Sequence, residues 1–286
     1  MNNKPKLLHS ITGRKIVFTV ITQAFLIFLA FMSLFPFIWM LGSSLKTNAD
    51  MFSIPPKIFP DVPKWSNYIE AVTSVNFGQG YLNSMKLALI NTVGQVLTSA
   101  MAGYALGKLK FKGSDLVFSG FIGVMMVPYT VIVIPLFTIF NKLGLIDTHL
   151  CIILMTVAYM PMGVFLCRQT ILSLPNDLFD AARIDGASYG RIFTTVVLPL
   201  IKPTIASLAI FAFMWNWNSY FTPLIFLTSQ ENFTVPLLLS MFKGKHSTNW
   251  SLIMAASTIS VLPVLVVYLF GQKYIIEGIT ITGMKG

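Results

Sequence analysis

A short polar segment has the residue types and spacing best suited to a function in this 286-residue chain. Residues 180–186 read Asp-Ala-Ala-Arg-Ile-Asp-Gly, and Leu198-Pro199 follows at a short distance. The segment lies between two long apolar segments, which places it on an aqueous face of a membrane protein. Its small and charged residues suit docking of a partner better than catalysis. The residues expected to make that contact are Asp180, Ala181, Ala182, Arg183, Asp185, Gly186, Leu198 and Pro199.

Motifs for catalysis or metal binding are missing from the sequence. No G-x-x-x-x-G-K-[ST] loop is present, so we expect no ATP binding through a P-loop of this chain. His9, His149 and His246 are isolated from one another and from the cysteines, which predicts no metal site. We therefore predict that the chain has no catalytic residue, binds no cofactor and is not an enzyme.

The composition indicates a membrane protein. The chain is 55% hydrophobic and only 10% charged, with a mean hydropathy of +0.74. Soluble domains carry about 25% charged residues, so most of this surface faces something other than water. The net charge of +10 does not indicate nucleic-acid binding, because the basic residues lie at the ends of apolar runs, as topology signals do.

Six apolar segments are long enough to cross a bilayer, which takes about 20 residues per helix. We predict an all-α membrane protein, because backbone amides in lipid must bond within their own helix. Thirteen of the twenty lysines and arginines fall on the side of the N-terminus, so both termini should be cytoplasmic. Residues 1–286 would form a single transmembrane domain. The predicted spans are 17–43, 83–107, 116–140, 150–168, 203–228 and 251–271.

The polar segment between the fourth and fifth spans, residues 175–199, has the local signals of two short helices. Asn176 and Asp177 can cap a helix over residues 177–185, and Gly186 can end it with a positive φ. Ser188 can cap a second helix that ends near residue 197. Pro199 then falls in the first part of the next span, where its missing donor is tolerated. We predict a cytoplasmic helix–turn–helix elbow.

Two groups of polar residues lie inside predicted spans. Polar side chains that face lipid are costly, so the stripe in the second span should face other helices or a wet cavity. That stripe comprises Ser84, Ala88, Asn91, Gln95, Thr98 and Ala102. Interhelical hydrogen bonding and lining of a transport pathway both explain it.

The fifth span carries a second stripe: Ala209, Ala212, Asn216, Ser219 and Pro223. Asn216 is flanked by aromatic residues, and aromatic faces with amides are suited to holding a sugar. An aromatic belt or a helix–helix contact explains the same residues. The candidate substrate-pathway residues are Asn91, Gln95, Trp215, Asn216, Ser219 and Tyr220.

In the third span, Pro128 and Pro135 should introduce bends.

The segment 180–199 resembles the coupling loop of ABC importer permeases, although Asp180 stands where that family more often has Glu. Further motifs, in order along nearly the whole chain, resemble the G-type membrane subunit of maltose-class carbohydrate importers. They are Pro36-Phe37-Ile38-Trp39-Met40, Ser44-Leu45-Lys46, Trp65, Asn67-Tyr68, Asn83-Ser84, Leu143-Gly144-Leu145-Ile146-Asp147-Thr148, Trp215-Asn216, Pro236-Leu237 and Gly283-Met284-Lys285-Gly286.

The resemblance implies a multi-pass permease subunit of the bacterial cytoplasmic membrane that imports a sugar or oligosaccharide. Its implied partners are a second related permease, two nucleotide-binding subunits that hold ATP and Mg, and an extracytoplasmic sugar-binding protein. The alternative is a secondary transporter or channel without an ATPase partner, which should show paired broken helices or intramembrane acids. The sequence has no acid well inside a predicted span.

Overall fold

The computed structural model describes residues 6–109, 111–157, 159–242 and 248–283. This part of the chain is helical and contains no β-strand, so the predicted all-α fold is confirmed. Two 3-10 turns, Asp50–Phe52 and Gln230–Asn232, and one π-helical turn, Phe193–Val197, complete it. The helices are α1 Lys6–Ser44, α2 Ser66–Ser74, α3 Phe77–Lys108, α4 Ser114–Met125, α5 Tyr129–Lys142, α6 His149–Val157, α7 Pro161–Leu172, α8 Asn176–Ile184, α9 Tyr189–Ile192, α10 Leu198–Leu200, α11 Lys202–Trp217, α12 Phe221–Phe226, α13 Val235–Met241 and α14 Trp250–Gly283.

The chain divides into two compact units, Met1–Ala71 with Gly244–Thr258 and Val72–Lys243 with Ile259–Gly286. The prediction of a single transmembrane domain over residues 1–286 stays a prediction. In the first unit, α1 is apolar and exposed along most of its described side chains. Just beyond its end, Lys46 is buried, donates from Nζ to the Lys57 carbonyl at 2.5 Å, and lies 4.4 Å from the Trp39 ring centroid.

In the second unit, α3 lies at the centre and packs against α7, α11 and α6. Glycines allow α3 and α7 to approach closely. A Cβ on Gly103 would lie 2.6 Å from Cys167 Cβ, and one on Gly163 would lie 2.4 Å from Ser99 Oγ. A side chain at either position would therefore push the two helices apart.

By length and composition, three helical segments of the described chain could cross a membrane: Lys15–Ser44, His149–Leu172 and Trp250–Tyr274. Counting each of two bent helix pairs as one span raises the number to five. Although α3 has 32 residues, it is not among them, because its buried polar side chains lower its hydropathy. Six spans and two cytoplasmic termini therefore stay predictions. Residues 1–5 and 284–286, which include part of the predicted C-terminal motif, lie outside the described residues.

Three predicted spans are interrupted rather than continuous. In the third, α4 and α5 meet at 102°. Pro128 lies at this break and precedes α5, whereas Pro135 lies within α5. In the fourth, α6 ends at Val157 and α7 begins at Pro161. The residue before a proline disfavours helical torsions, and Met160 has φ −144° and ψ 67°.

The fifth predicted span, 203–228, is also interrupted, and its predicted single stripe is wrong beyond Asn216. The helix α11 ends at Trp217, and α12 begins at Phe221. Pro223 gives the physical reason. In a continuous helix its ring would clash with the carbonyl of Ser219, and it has no N–H to donate to that carbonyl.

Candidate functional site

The predicted elbow forms, and its first helix, α8, ends in a Schellman motif. Gly186 has φ +76°, a conformation in which other residues are strained. Its N–H donates to the Arg183 carbonyl at 3.0 Å, and the N–H of Ala187 donates to the Ala182 carbonyl at 3.0 Å. The end of α8 is therefore fixed by hydrogen bonds that glycine makes possible.

The second part of the elbow begins where the sequence predicts. Ser188 Oγ accepts from the N–H of Arg191 at 3.3 Å and caps α9. The chain continues through the π-helical turn into α10, which contains Leu198 and Pro199. A bend of 80° then separates Tyr189–Leu200 from Lys202–Trp217. Pro199 is thus the second residue of α10, before that bend.

The elbow, which belongs to the second unit, packs on the rest of that unit through one face. Phe179 is 2% exposed and belongs to a core cluster with Tyr104, Ile192 and Val197, against which Ala182 and Leu198 also pack. The opposite side is open: Ala181, Asp185 and Gly186 are exposed. Asp180 and Arg183 pair with each other, with 3.2 Å between Oδ1 and Nη1.

Two residues of the open side with large side chains were not among the predicted contact residues. Ile184 is 86% exposed and Tyr189 is 61% exposed. Their exposure leaves the open side of the elbow partly apolar. The signal was present in the sequence, because Ile184 does not share the helical face on which Phe179 and Ala182 lie.

A cavity of about 670 Å³ lies in the second unit. It brings together all six predicted pathway residues. The described residues that line it include no charged side chain. They are Ser84, Leu87, Asn91, Gln95, Tyr129, Ile152, Met155, Thr156, Tyr159, Phe211, Met214, Trp215, Asn216, Asn218, Ser219, Tyr220, Phe221, Thr222, Pro223 and Thr234.

Three amide side chains form a chain of hydrogen bonds at the cavity wall. Asn91 Nδ2 donates to Asn216 Oδ1 at 3.3 Å, and Asn216 Nδ2 donates to Gln95 Oε1 at 2.9 Å. Gln95 Nε2 donates to the Tyr159 carbonyl at 3.3 Å. These amides join helices, as interhelical hydrogen bonding predicts, and they also face the cavity. Lining of a transport pathway stays a prediction.

Two oxygens near the cavity are buried and have no hydrogen-bond partner among the described residues: Asn91 Oδ1 and Thr234 Oγ1. Leaving such groups unpaired costs about 1–3 kcal/mol each. Both residues line the cavity.

The two tryptophans near Asn216 occupy opposite environments. Trp215 is 79% exposed and lines the cavity. Trp217 is 2% exposed, and its Nε1 donates to the Ser260 carbonyl at 3.0 Å. Ser219 and Tyr220 lie at the interruption between α11 and α12 and line the cavity.

The carboxylate of Asp147 links its own loop to the loop at residues 228–232 by hydrogen bonds. Asp147, which has φ +62°, accepts at Oδ1 from the backbone N–H groups of Thr228 and Ser229 at 2.9 Å each, and at Oδ2 from the Ser229 hydroxyl. Asn232 Nδ2 donates to Asp147 Oδ1 at 3.2 Å and to the backbone carbonyl of Asp147 at 2.7 Å. Burial alone would raise the pKa of Asp147, but these hydrogen bonds hold the pKa well below its ordinary value.

Known proteins similar to this chain match along almost its full length. The sequence profile of the family described as binding-protein-dependent transport system inner membrane component matches residues 95–281. The arabinooligosaccharides transport system permease protein AraQ of Bacillus subtilis is 35% identical over 274 residues, 94% of this chain and 97% of that protein. The trehalose/maltose transport system permease protein MalG of Thermococcus litoralis is 33% identical, over 91% and 94% of the two chains.

A solved structure has the same fold. It is a bacterial ABC transporter involved in the import of the acidic polysaccharide alginate, and one of its chains matches with a TM-score of 0.78 at 23% identity. The match covers 96% of this chain and 99% of that chain. The family match and the several apolar helices together define a multi-pass membrane permease. The chain belongs to the binding-protein-dependent transport system inner membrane component family.

Proposed function

We propose that this chain is one of two permease subunits of an ATP-driven carbohydrate importer in a bacterial cytoplasmic membrane. A second related permease forms the other half of the translocation pathway. Two nucleotide-binding subunits hold ATP and Mg, and an extracytoplasmic binding protein delivers the sugar or oligosaccharide. This chain binds no cofactor of its own and contributes no ATPase site.

The observation that carries the proposal is the elbow at residues 175–199. It is fixed by the Schellman motif at Gly186, anchored through buried Phe179, and open on the side of Ala181 and Ile184. A rigid segment that presents small and apolar side chains fits insertion into a cleft of an ATP-hydrolysing partner. Asp180, Arg183, Asp185 and Arg191 supply charges at the rim of that contact.

Transport then follows from differential binding of ligands to two conformations. ATP binding closes the nucleotide-binding subunits, and their cleft moves the elbow. The permease pair changes from inward-open to outward-open, and the binding protein releases its sugar into the pathway. Hydrolysis of ATP restores the inward-open state.

The cavity is the proposed pathway segment of this subunit. Its amides and hydroxyls suit sugar hydroxyls, and Trp215 and Tyr220 offer aromatic faces to the apolar faces of sugar rings. The names of several relatives include saccharides: arabinooligosaccharides for AraQ, and trehalose and maltose for MalG. A saccharide substrate is therefore the proposal that fits both the relatives and the lining.

One observation favours the alternative, a transporter that works alone. Interrupted helices line substrate sites in secondary transporters, and α11 and α12 are interrupted beside this cavity. The two functions differ in their need for ATP and partners. A lone transporter would move solute without either.

Asp180 provides a test of the elbow contact. In the importer reconstituted in vesicles with its binding protein, Asp180→Lys should abolish ATP-dependent uptake, because it reverses a charge at the proposed contact. The variant should still insert in the membrane, since Asp180 is exposed. Asp180→Glu keeps the carboxylate and should retain uptake. Normal uptake by Asp180→Lys would remove the coupling assignment.

A further inference from the structure

A lysine at the end of α3 contacts the beginning of the elbow. Lys108 Nζ donates to the Leu174 carbonyl at 2.9 Å and to Asn176 Oδ1 at 2.7 Å. It also lies 4.6 Å from the ring centroid of Phe179. One ammonium group therefore joins the last residue of α3 to the linker before α8, to the first residue of α8, and to the residue that anchors α8.

The contact changes the role of Asn176. The sequence predicts that its side chain caps α8, yet α8 has no side-chain cap and begins at Asn176 after Pro175. The Asn176 amide oxygen accepts from Lys108 instead. Hydrogen bonds from a charged donor are about twice as strong as those between neutral groups. The bond from Lys108 to the Asn176 oxygen is therefore stronger than a capping bond from a backbone N–H of α8 would be.

The helix α3 connects this contact with the cavity. It runs without interruption from Phe77 to Lys108, whereas three predicted spans of the same unit are interrupted. Asn91 and Gln95 line the cavity on the same helix. Asn91 and Lys108 are about 25 Å apart along the helix axis. A displacement of α8 therefore has a direct mechanical route into the amide chain of the cavity wall.

We propose that Lys108 is a positioning residue that transmits movement of the elbow to the cavity through α3. This inference rests on the proposed function, because it assigns the route by which the ATP-hydrolysing partner acts on the pathway. Lys108 does not line the cavity, and its ammonium group is hydrogen-bonded within the chain. It holds α8 and α3 together so that they move as one body.

Neighbouring Arg168 has a different position and serves as a comparison. Its Nε donates to the Leu106 carbonyl at 3.1 Å, and its guanidinium lies 3.6 Å from Asp115 Oδ1 and 4.0 Å from the Phe118 ring centroid. These contacts join α3, α7 and α4 but do not reach α8. Arg168 should therefore support stability, whereas Lys108 should support coupling.

The test measures sugar molecules transported per ATP hydrolysed by the complete importer in proteoliposomes, with the binding protein present. Lys108→Met should lower this ratio about tenfold, the effect of losing hydrogen bonds from one charged donor. ATP hydrolysis should continue, because the nucleotide-binding subunits are intact. Lys108→Arg keeps donors for both oxygens and should restore most of the ratio. Lys112→Met, at an exposed lysine of the next loop, should leave it unchanged.

A second pair of variants keeps the proposal testable if Lys108→Met does not assemble. Asn176→Leu removes only one acceptor and should lower the ratio by a smaller factor, about threefold. Arg168→Met should lower the thermal stability of the complex while the ratio for assembled complexes stays at the wild-type value.

Wild-type ratios in both Lys108→Met and Asn176→Leu, or in Asn176→Leu alone where Lys108→Met fails to assemble, would overturn the proposal. An equal loss of ratio in Arg168→Met would also overturn it, because the effect would then be general loosening of α3. If wild-type complex shows no ATP-dependent uptake, the proposed function itself fails, which is a separate result.

Discussion

The elbow and the cavity differ in which side chains are exposed and in whether their polar groups are hydrogen-bonded. In the elbow, the end of α8 has its backbone donors paired, and apolar Ile184 and Tyr189 are left exposed. At the cavity, polar side chains are buried, and Asn91 Oδ1 and Thr234 Oγ1 lack partners among the described residues. A rigid surface with exposed apolar groups suits a protein partner, whereas buried polar groups with spare capacity suit a hydroxylated solute.

The contrast assigns different consequences to substitutions in the two regions. Changes in the elbow should uncouple transport from ATP without altering solute affinity. Changes in the cavity should alter solute affinity without altering the proposed contact with the nucleotide-binding subunits.

The largest expected effect is that of Gly186→Pro. Proline cannot adopt the φ of +76° found here, and it removes the N–H that donates to the Arg183 carbonyl. ATP-dependent uptake should fall by more than about 100-fold, because a distorted elbow loses several kcal/mol of fit. Membrane insertion should persist. Gly120→Ala, at a glycine outside the elbow with open space around it, is the control and should transport normally.

An intermediate effect should separate the two tryptophans. Trp215→Leu should raise the KM for sugar by about three- to tenfold, because an aromatic face of the cavity is lost, with thermal stability unchanged. Trp217→Leu should instead lower stability by about 3 kcal/mol, since a buried ring and its hydrogen bond to Ser260 are lost. Uptake kinetics and thermal unfolding of the purified complex distinguish them. Equal KM values for Trp215→Leu and wild type would remove Trp215 from the pathway.

The smallest expected effect concerns Asp147. Its folded-state pKa is depressed, so its stabilisation is present above the unfolded pKa of about 3.9 and is lost as pH falls below that value. Asp147→Asn should lower stability at neutral pH by about 1.5 kcal/mol, through weaker hydrogen bonds to the 228–232 loop. The difference from wild type should shrink below about pH 4. Glu231→Gln, at an exposed acid of that loop, should have little effect at any pH.

The helix starts and stops of the elbow could be predicted from their capping residues, because capping signals are local. A glycine after a helix, a serine before the next one and a proline at a helix start each act within a few residues. The exception is Asn176, whose oxygen is taken by Lys108 from another helix. Nothing within the segment signals that contact.

The residues that line the cavity could be predicted from the sequence, but the helix break beside it could not. Burial of polar groups follows from the cost of exposing them to lipid, and Asn91, Gln95 and Asn216 do meet. The interruption at residues 218–220 was missed, because a long apolar run reads as one helix. Pro223 was the available signal, since it forbids a helical bond to Ser219.

The most direct measurement compares solute flux into lipid vesicles that contain this chain alone with flux into vesicles that contain the complete importer. Labelled saccharide, for example an arabinooligosaccharide, would be supplied with the binding protein outside and ATP inside. The account predicts no flux from the chain alone and ATP-dependent flux from the complete assembly. Flux through the chain by itself, or flux through the assembly that does not depend on ATP, would contradict it.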